Sequence, residues 1–188
     1  MTIDIVIPTY TINTELEDIA VDCVLSHIGK GRIIVVEDGG GSSQKLINLA
    51  DIYLRYEDNV GFTQNVNRGW KFSDSEYTAI VSSDTVLEKG EVKDLCKKGK
   101  VTSPDIVNQD IEGLTGCYFV VHRSITDKLG MLNEAMKTYY SDEDYKNRTK
   151  DVFKKVNKVK IFHHQAKTVT AAGLEGNIKE DKKAFDKI

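Results

Sequence analysis

The chain has 188 residues, 40% of them apolar and 29% charged, proportions of an ordinary globular domain long enough to bury a core. A formal net charge of −3 supplies no global attraction to nucleic acid or anionic lipid. No apolar run approaches the roughly 18 residues of a membrane span, and the N-terminus runs into a strand pattern without a basic leader, so a cytoplasmic location is expected.

Residues 3–8 are β-branched and nearly continuous in apolar character, the pattern of a strand buried on both faces, and Pro8 is expected to end it. Asn13 or Thr14 can then cap a helix, with Glu17 completing a capping box. Leu16, Ile19, Ala20, Cys23 and Val24 recur along one face of that helix, which Gly29 stops. A second buried strand at 32–36 leads into Glu37, Asp38 and three glycines, so strand, helix and strand form a right-handed βαβ unit. A short helix at 42–50, a strand at 52–56, a turn at 59–61, a helix at 62–72 and a strand at 77–82 continue the alternation.

That last strand stops on Val81, Ser82, Ser83, Asp84 and Thr85. It leaves a carboxylate at its C-terminal lip, where open α/β sheets place ligands, although Ser and Asp also suit a plain turn. The second half changes character. A short lysine-rich helix is predicted at 90–98, a strand at 114–122 and a short helix at 124–129. A longer helix at 142–156 opens on acids, which its dipole favours, and carries Tyr145, Thr149, Val152, Phe153 and Val156 along one face. Short strands at 159–163 and 168–172 and a polar helix at 178–188 complete the chain. Cys23, Cys96 and Cys117 are odd in number, widely spaced and set among apolar neighbours, as small core residues are. No repeat or linker divides the sequence, so a single domain over 1–188 is expected.

The order of several motifs carries a resemblance. Ile5-Val6-Ile7-Pro8-Thr9-Tyr10 is followed by Val35-Val36-Glu37-Asp38-Gly39, by Asn59-Val60-Gly61-Phe62 with Asn67-Arg68-Gly69, and by Ser83-Asp84-Thr85. Then come Gly116, Arg123, Gly130 with Leu132-Asn133-Glu134, and Tyr139-Tyr140-Ser141-Asp142-Glu143-Asp144 ending in Arg148. This succession resembles the family 2 glycosyltransferases of the GT-A fold over roughly residues 3–170, and the order is far more specific than any one motif. The resemblance implies an α/β fold, a Rossmann-like, mostly parallel sheet flanked by helices with a small mixed portion on the acceptor side. It implies a donor half at 1–85 and an acceptor half at 86–188. The activity it implies is transfer of a sugar from a nucleotide-diphosphate donor, UDP- or dTDP-linked, to an acceptor hydroxyl.

By the same resemblance, Pro8, Thr9 and Tyr10 line the nucleoside pocket. Glu37, followed by Asp38, is the acid that hydrogen-bonds the pyrimidine, a longer side chain where the family carries aspartate. Asn59, Gly61 and Asn67 hold the ribose and its loop, and Ser83 lies on the donor. Asp84 matches the last acid of the metal motif, whose first acid is replaced by Ser82. A departing diphosphate gathers negative charge, which a bound Mn²⁺ or Mg²⁺ stabilises. His164, and after it His163, is the expected further ligand; neighbours on a strand face opposite ways, so only one of them can serve. Asp142, with Asp144 as second choice, matches the general base that deprotonates the acceptor in inverting members.

Lys146, Arg148, Lys150, Lys154, Lys155, Lys158 and Lys160 stand against the single acid Asp151. Such a run reads either as a solvated helix face or as a surface for a polyanionic acceptor, an acidic glycan or the modified DNA of a phage. Two rival functions remain at this point. A nucleotidyltransferase shares the α/β layer but needs a glycine- and basic-rich loop after the first strand, which 9–14 lacks. A donor-binding pseudoenzyme is the other, because Ser82 replaces an acid. The sequence carries no signal for an oligomeric state.

Overall fold

The computed structural model describes residues 1–165 and 177–188. In chain order its elements are β1 (Ile3–Thr9), α1 (Thr14–His27), β2 (Arg32–Asp38), α2 (Gln44–Leu49), β3 (Ile52–Tyr56), α3 (Phe62–Phe72), β4 (Tyr77–Val81) and β5 (Thr85–Lys89). Then follow α4 (Val92–Leu95), β6 (Val101–Ile106), β7 (Tyr118–His122), α5 (Arg123–Leu129), α6 (Ser141–Thr149), β8 (Phe153–His163) and α7 (Asn177–Phe185).

The strands form one sheet in the order β3-β2-β1-β4-β7-β6-β8-β5. β3, β2, β1 and β4 are parallel. β7 reverses against β4, and β6 against β7. β8 then runs parallel to β6, and β5 antiparallel to β8 along the edge. The parallel part therefore coincides with the first half of the chain and the mixed part with the second.

Period-2 alternation sends successive strand residues into two separate cores. Ile5, Ile7, Ile33, Val35, Ala79, Val81 and Tyr118 pack with Ala20, Cys23 and Val24 of α1 and with Leu46 of α2. Val6, Ile34, Val36, Ile80 and Phe119 face the other way, onto Val66 and Trp70 of α3, Ile125 of α5 and Tyr145 of α6. Both faces of β1, β2 and β4 are thus covered, which is why these segments read as unbroken apolar runs. Gly69 lets α3 lie close: a Cβ there would stand 2.5 Å from Val6 Cγ1 and 2.6 Å from Val36 Cγ2.

The first-half elements stand where the pattern puts them, with small differences. Pro8 does not end β1; it pairs with Val36 beyond the last residue of β1 that pairs with β4, so its missing N–H breaks no ladder. Asn13 caps α1 by accepting from Leu16 N at 2.9 Å, but Glu17 closes no capping box and instead accepts from the Ser43 hydroxyl.

The second half departs further. The expected strand at 114–122 covers only Tyr118–His122, and the helix at 90–98 only Val92–Leu95. β5 and β6 were not anticipated, because β5 turns polar at the sheet edge and β6 carries Thr102, Ser103 and Pro104 inside the sheet. The helix expected over 142–156 ends at Thr149, and from Phe153 the chain is strand. The cause lies in the spacing. Phe153 and Val156 stand three apart with Lys154 and Lys155 between them, which prolongs the helical spacing of Tyr145, Thr149 and Val152, and just beyond Val156 the register shifts, Pro104 pairing with Val156 but Asp105 with Lys160. The expected strand at 168–172 lies outside the described residues.

Cys23, Cys96 and Cys117 are buried and free, and burial pushes each thiol up to about 12, so they are inert core residues. Among the described residues no helix is long and apolar enough to cross a membrane.

Candidate active site

β1, β2 and β4 end on the same side of the sheet, and their last residues open into a cavity of about 430 Å³, within the range of small-molecule sites. Pro8, Thr9 and Tyr10 reach it from β1, Asp38 from β2, and Ser82, Ser83 and Asp84 from the exit of β4. The second half closes it with Gln109, Gly116, Cys117, residues 138–143, Lys146 and His163. Helix α3 adds Asn59, Gly61, Phe62 and Asn65 at and just before its N-terminus.

Asp84 is 3% exposed, and its Oδ1 accepts from the Ser82 hydroxyl at 2.6 Å and lies 3.3 Å from His163 Nε2. Burial alone pushes the Asp84 carboxyl up. The hydrogen bond and charge of His163, with the Ser82 hydroxyl, outweigh that and hold it below the usual carboxylate range. His163 is itself positioned: Gln109 Nε2 stands 3.2 Å from its Nδ1, and Asn108 holds both its carbonyl and its N–H.

On the far wall, Asp142 is the second residue of α6, and its Oδ2 accepts from Gly116 N at 3.1 Å. The same close approach explains Gly116, where a Cβ would stand 3.1 Å from the Asp142 side chain. Oδ1 of Asp142 has no protein partner among the described residues. Asp84 and Asp142 therefore share one cleft, reached from opposite halves of the chain.

The family model for glycosyl transferase family 2 matches residues 4–163. The chain belongs to the family 2 glycosyltransferases. No curated protein sequence matches it. Among solved structures, S. aureus TarS superposes with a TM-score of 0.67 at 14% identity, covering 87% of this chain and 36% of that one. TarS 1–349 gives 0.67 at 14% identity, covering 88% and 61%. The same protein in complex with UDP gives 0.62 at 16% identity, covering 86% and 60%. This chain thus spans between 36% and 61% of the length of those chains. The mixed sheet with its flanking helices is the GT-A fold that the motifs implied.

Against the family's motifs, four expected site residues stand outside the cleft. Glu37 is fully buried and accepts from Thr9 Oγ1 at 2.8 Å, Thr11 N at 2.8 Å and Thr11 Oγ1 at 2.9 Å. It ties the exits of β1 and β2 together and has no open face for a pyrimidine. The acid that lines the cleft is its neighbour Asp38, whose oxygens take Val60 N, Gly61 N and Arg68 Nη1 and so fix the 59–61 turn. Burial pushes the Asp38 carboxyl up, against the backbone N–H groups of Val60 and Gly61.

Asn67 is likewise consumed, donating to Leu132 O and Glu134 Oε1 and accepting from Leu132 N. Asp144 is 4% exposed and holds Arg148, which also bonds the carbonyls of Leu129 and Met131, so it braces α6 from behind. His164, ranked ahead of His163, packs edge-on against Phe162 with centroids 5.0 Å apart, and it is His163 that faces Asp84.

Other cleft residues were not anticipated. Asn65 donates to Val36 O at 2.8 Å while its Oδ1 has no partner. A polar side chain on the buried side of a strongly amphipathic helix was its only signal. Gln109 and the 138–140 loop come from segments without periodicity.

A divalent cation, which the family implies, finds a carboxylate and an imidazole beside each other at Asp84 and His163. Among the described residues no third His, Cys, Asp or Glu joins them. Among the described residues the cleft is lined by Asp38, Asp84, Asp142 and Glu143 against a single lysine, Lys146, and no arginine. A diphosphate entering so acidic a cleft needs a compensating cation, and a hard ion can take its remaining ligands from phosphate oxygens and water. The residues present fit the group on those terms.

Proposed function

We propose that the protein transfers a sugar from a UDP-linked donor to an acceptor alcohol, with residues 1–85 holding the donor and residues 86–188 supplying the acceptor side. The observation that carries this reading is that Asp84 and Asp142 line one cleft at the C-terminal ends of the parallel strands. The TarS complex with UDP, in the same fold, favours uridine over thymidine.

The nucleoside lies against Pro8, Thr9, Tyr10 and the turn that Asp38 fixes. Asp84 and His163 would hold a Mn²⁺ or Mg²⁺ ion, which would supply stabilisation of charge on the departing diphosphate. Asp142 takes the proton of the attacking hydroxyl. Its carboxylate is kept in place by Gly116 N through Oδ2, which leaves Oδ1 to act as the base. A single base on the side of the sugar away from the diphosphate gives inversion at the anomeric carbon.

The basic run does not form one face. Lys146 pairs with Glu143, Arg148 with Asp144, Lys155 and Lys160 with Asp105, and Lys158 with Asp94. Only Lys146 of that run lines the cleft. Such a distribution favours an ordinary alcohol acceptor over a polyanion.

Incubation with a panel of UDP- and dTDP-sugars and Mn²⁺, followed by chromatography of the products, tests the reading. Slow release of nucleoside diphosphate is expected, suppressed by a chelator. Release of pyrophosphate would support a nucleotidyltransferase instead. Tight UDP binding without turnover of any sugar would support a pseudoenzyme.

A further inference from the structure

We propose that the C-terminal helix belongs to the transfer machinery, with Asp181 as a positioning residue that pins the loop between Met136 and Ser141 and thereby places Asp142. The inference rests on the reading of Asp142 above, but its structural half stands on contacts alone. Asp181 is 2% exposed. Its Oδ1 accepts from Lys137 N at 2.8 Å, and its Oδ2 from Thr138 N at 2.8 Å and Tyr139 N at 2.9 Å. Three consecutive backbone N–H groups converging on one carboxylate make an anion nest, filled by the chain's own side chain. Residues 137–139 lie in no helix or strand, so these amides have no ladder to satisfy them.

Among the described residues helix α7 has little else to dock with. Ile178 is 43% exposed, and Lys179, Glu180, Lys182 and Lys183 face solvent. A surface helix ordinarily docks through an apolar stripe; this one docks through a carboxylate. Two further contacts go to the same loop. Asn177 Nδ2 donates to Thr138 Oγ1 at 3.1 Å, and the Phe185 ring stacks on Tyr140 with centroids 5.5 Å apart.

What the loop does explains why it is held so firmly. Tyr140 has φ 64°, left-handed backbone that a bulky side chain adopts only where its surroundings impose it. Its carbonyl then accepts from Asp144 N at 2.9 Å, the first bond of α6, so this turning point sets where Asp142 begins. On the donor side, Lys137 O accepts from Thr63 N at 3.0 Å and would stand 2.8 Å from a Cβ at Gly61. The loop is wedged between the nucleoside wall and the base, and Asp181 closes it from outside. Helix α7 lies beyond the residues that the family model matches.

Asp181→Asn and Phe185→Ala in the full chain test the proposal by three readouts: backbone amide exchange at 137–139, UDP affinity with Mn²⁺, and UDP release from UDP-glucose, UDP-galactose and UDP-N-acetylglucosamine. Asn offers one acceptor oxygen and turns an NH₂ toward the amides, so their exchange should quicken by at least about tenfold. Turnover should fall by about tenfold or more, as misplacement of a reacting group does, with UDP affinity kept within about threefold. Asp181→Glu, which restores a carboxylate, should recover part of both losses. Phe185→Ala should move exchange and turnover the same way by a smaller factor, and it decides the matter if Asp181→Asn does not fold. Wild-type exchange in Asp181→Asn, or turnover unchanged in both variants, overturns the proposal; a parallel loss of UDP affinity and turnover would mark a merely structural helix and overturn it too. A wild-type chain that releases no UDP refutes the transferase reading, and the exchange arm alone then decides whether Asp181 pins the loop.

Discussion

Pro8, Thr9 and Asp38 reach the cleft from the ends of β1 and β2, strands whose apolar side chains are buried on both faces by α1 on one side and α3 on the other. Asp142 reaches it from a nine-residue helix whose start is fixed by polar contacts, from Gly116 to its carboxylate and from Asp181 to the preceding loop. Hydrophobic packing sets the donor wall, because a strand buried on both faces cannot slip without moving its whole apolar set. On the proposed acceptor wall Tyr145 buries α6 in one of the same cores, but the helix start that carries Asp142 is set by a few hydrogen bonds, each of which a single substitution removes. Changes on the two walls should therefore fail differently: on the donor wall through stability, on the acceptor wall through catalysis.

The largest effect expected is on chemistry alone. Asp142→Asn should lower transfer by roughly 10²–10⁴-fold, the usual worth of a general base, while UDP affinity and the unfolding midpoint stay near wild type. Asp84→Ala should abolish the dependence of turnover on Mn²⁺ and weaken UDP binding as well, because it removes the carboxylate beside the diphosphate site. Steady-state kinetics with and without Mn²⁺, together with calorimetric UDP titration, separate the two. Equal loss of UDP affinity in both variants would contradict the division of labour.

A smaller effect sharpens the contrast on the donor wall itself. Glu37→Ala leaves Thr9 Oγ1, Thr11 N and Thr11 Oγ1 without their buried acceptor and should cost roughly 3 kcal/mol or more in urea unfolding. Asp38→Asn keeps an oxygen for the 59–61 turn and should destabilise less while weakening UDP binding more. If Glu37→Ala lowers UDP affinity at unchanged stability, the buried acid reads the base after all.

The legibility of the chain follows the same division. The parallel strands and α3 were readable because burial on both faces, or on one strong helical face, writes a continuous signal into the sequence. Motif order marked the Ser82 to Asp84 exit and the Asp142 helix start as well. It could not say which neighbour faces inward. Motif position favoured Glu37 over Asp38 and located the pair His163-His164 without choosing between them, whereas strand pleat and side-chain partners decide which one lines the cleft. Of β8, 159–163 was legible as strand, whereas 153–156 was read as helix because Phe153 and Val156 stand three apart with Lys154 and Lys155 between them, which hides the alternation of a strand. Asp181 was invisible for a different reason: nothing in a polar, lysine-rich helix announces that one carboxylate will meet three amides.

The smallest effect concerns the joint between the halves. His27 on α1 bonds Tyr118 OH on β7 at 3.0 Å, and burial pushes its imidazole down to about 4, against the Cys23 carbonyl that would raise it. Folded His27 is neutral, whereas unfolded His27 takes up a proton below about 6.5. The unfolded chain thus binds more protons between these values. This contribution to stability is fully present above about pH 6.5 and is lost as pH falls toward 4, amounting to roughly 3 kcal/mol. Urea midpoints measured from pH 7 to pH 4.5 should fall for the wild type and fall less for His27→Gln. Parallel slopes would place the acid sensitivity elsewhere.

The most direct test of the account is a crystal structure of the chain soaked with UDP and Mn²⁺. The diphosphate should lie beside Asp84 and His163, with the uracil toward Pro8, Tyr10 and the Asn59 turn and Asp142 facing it across the gap a sugar would fill. UDP bound with its phosphates turned away from Asp84, or in a different part of the molecule, would contradict it.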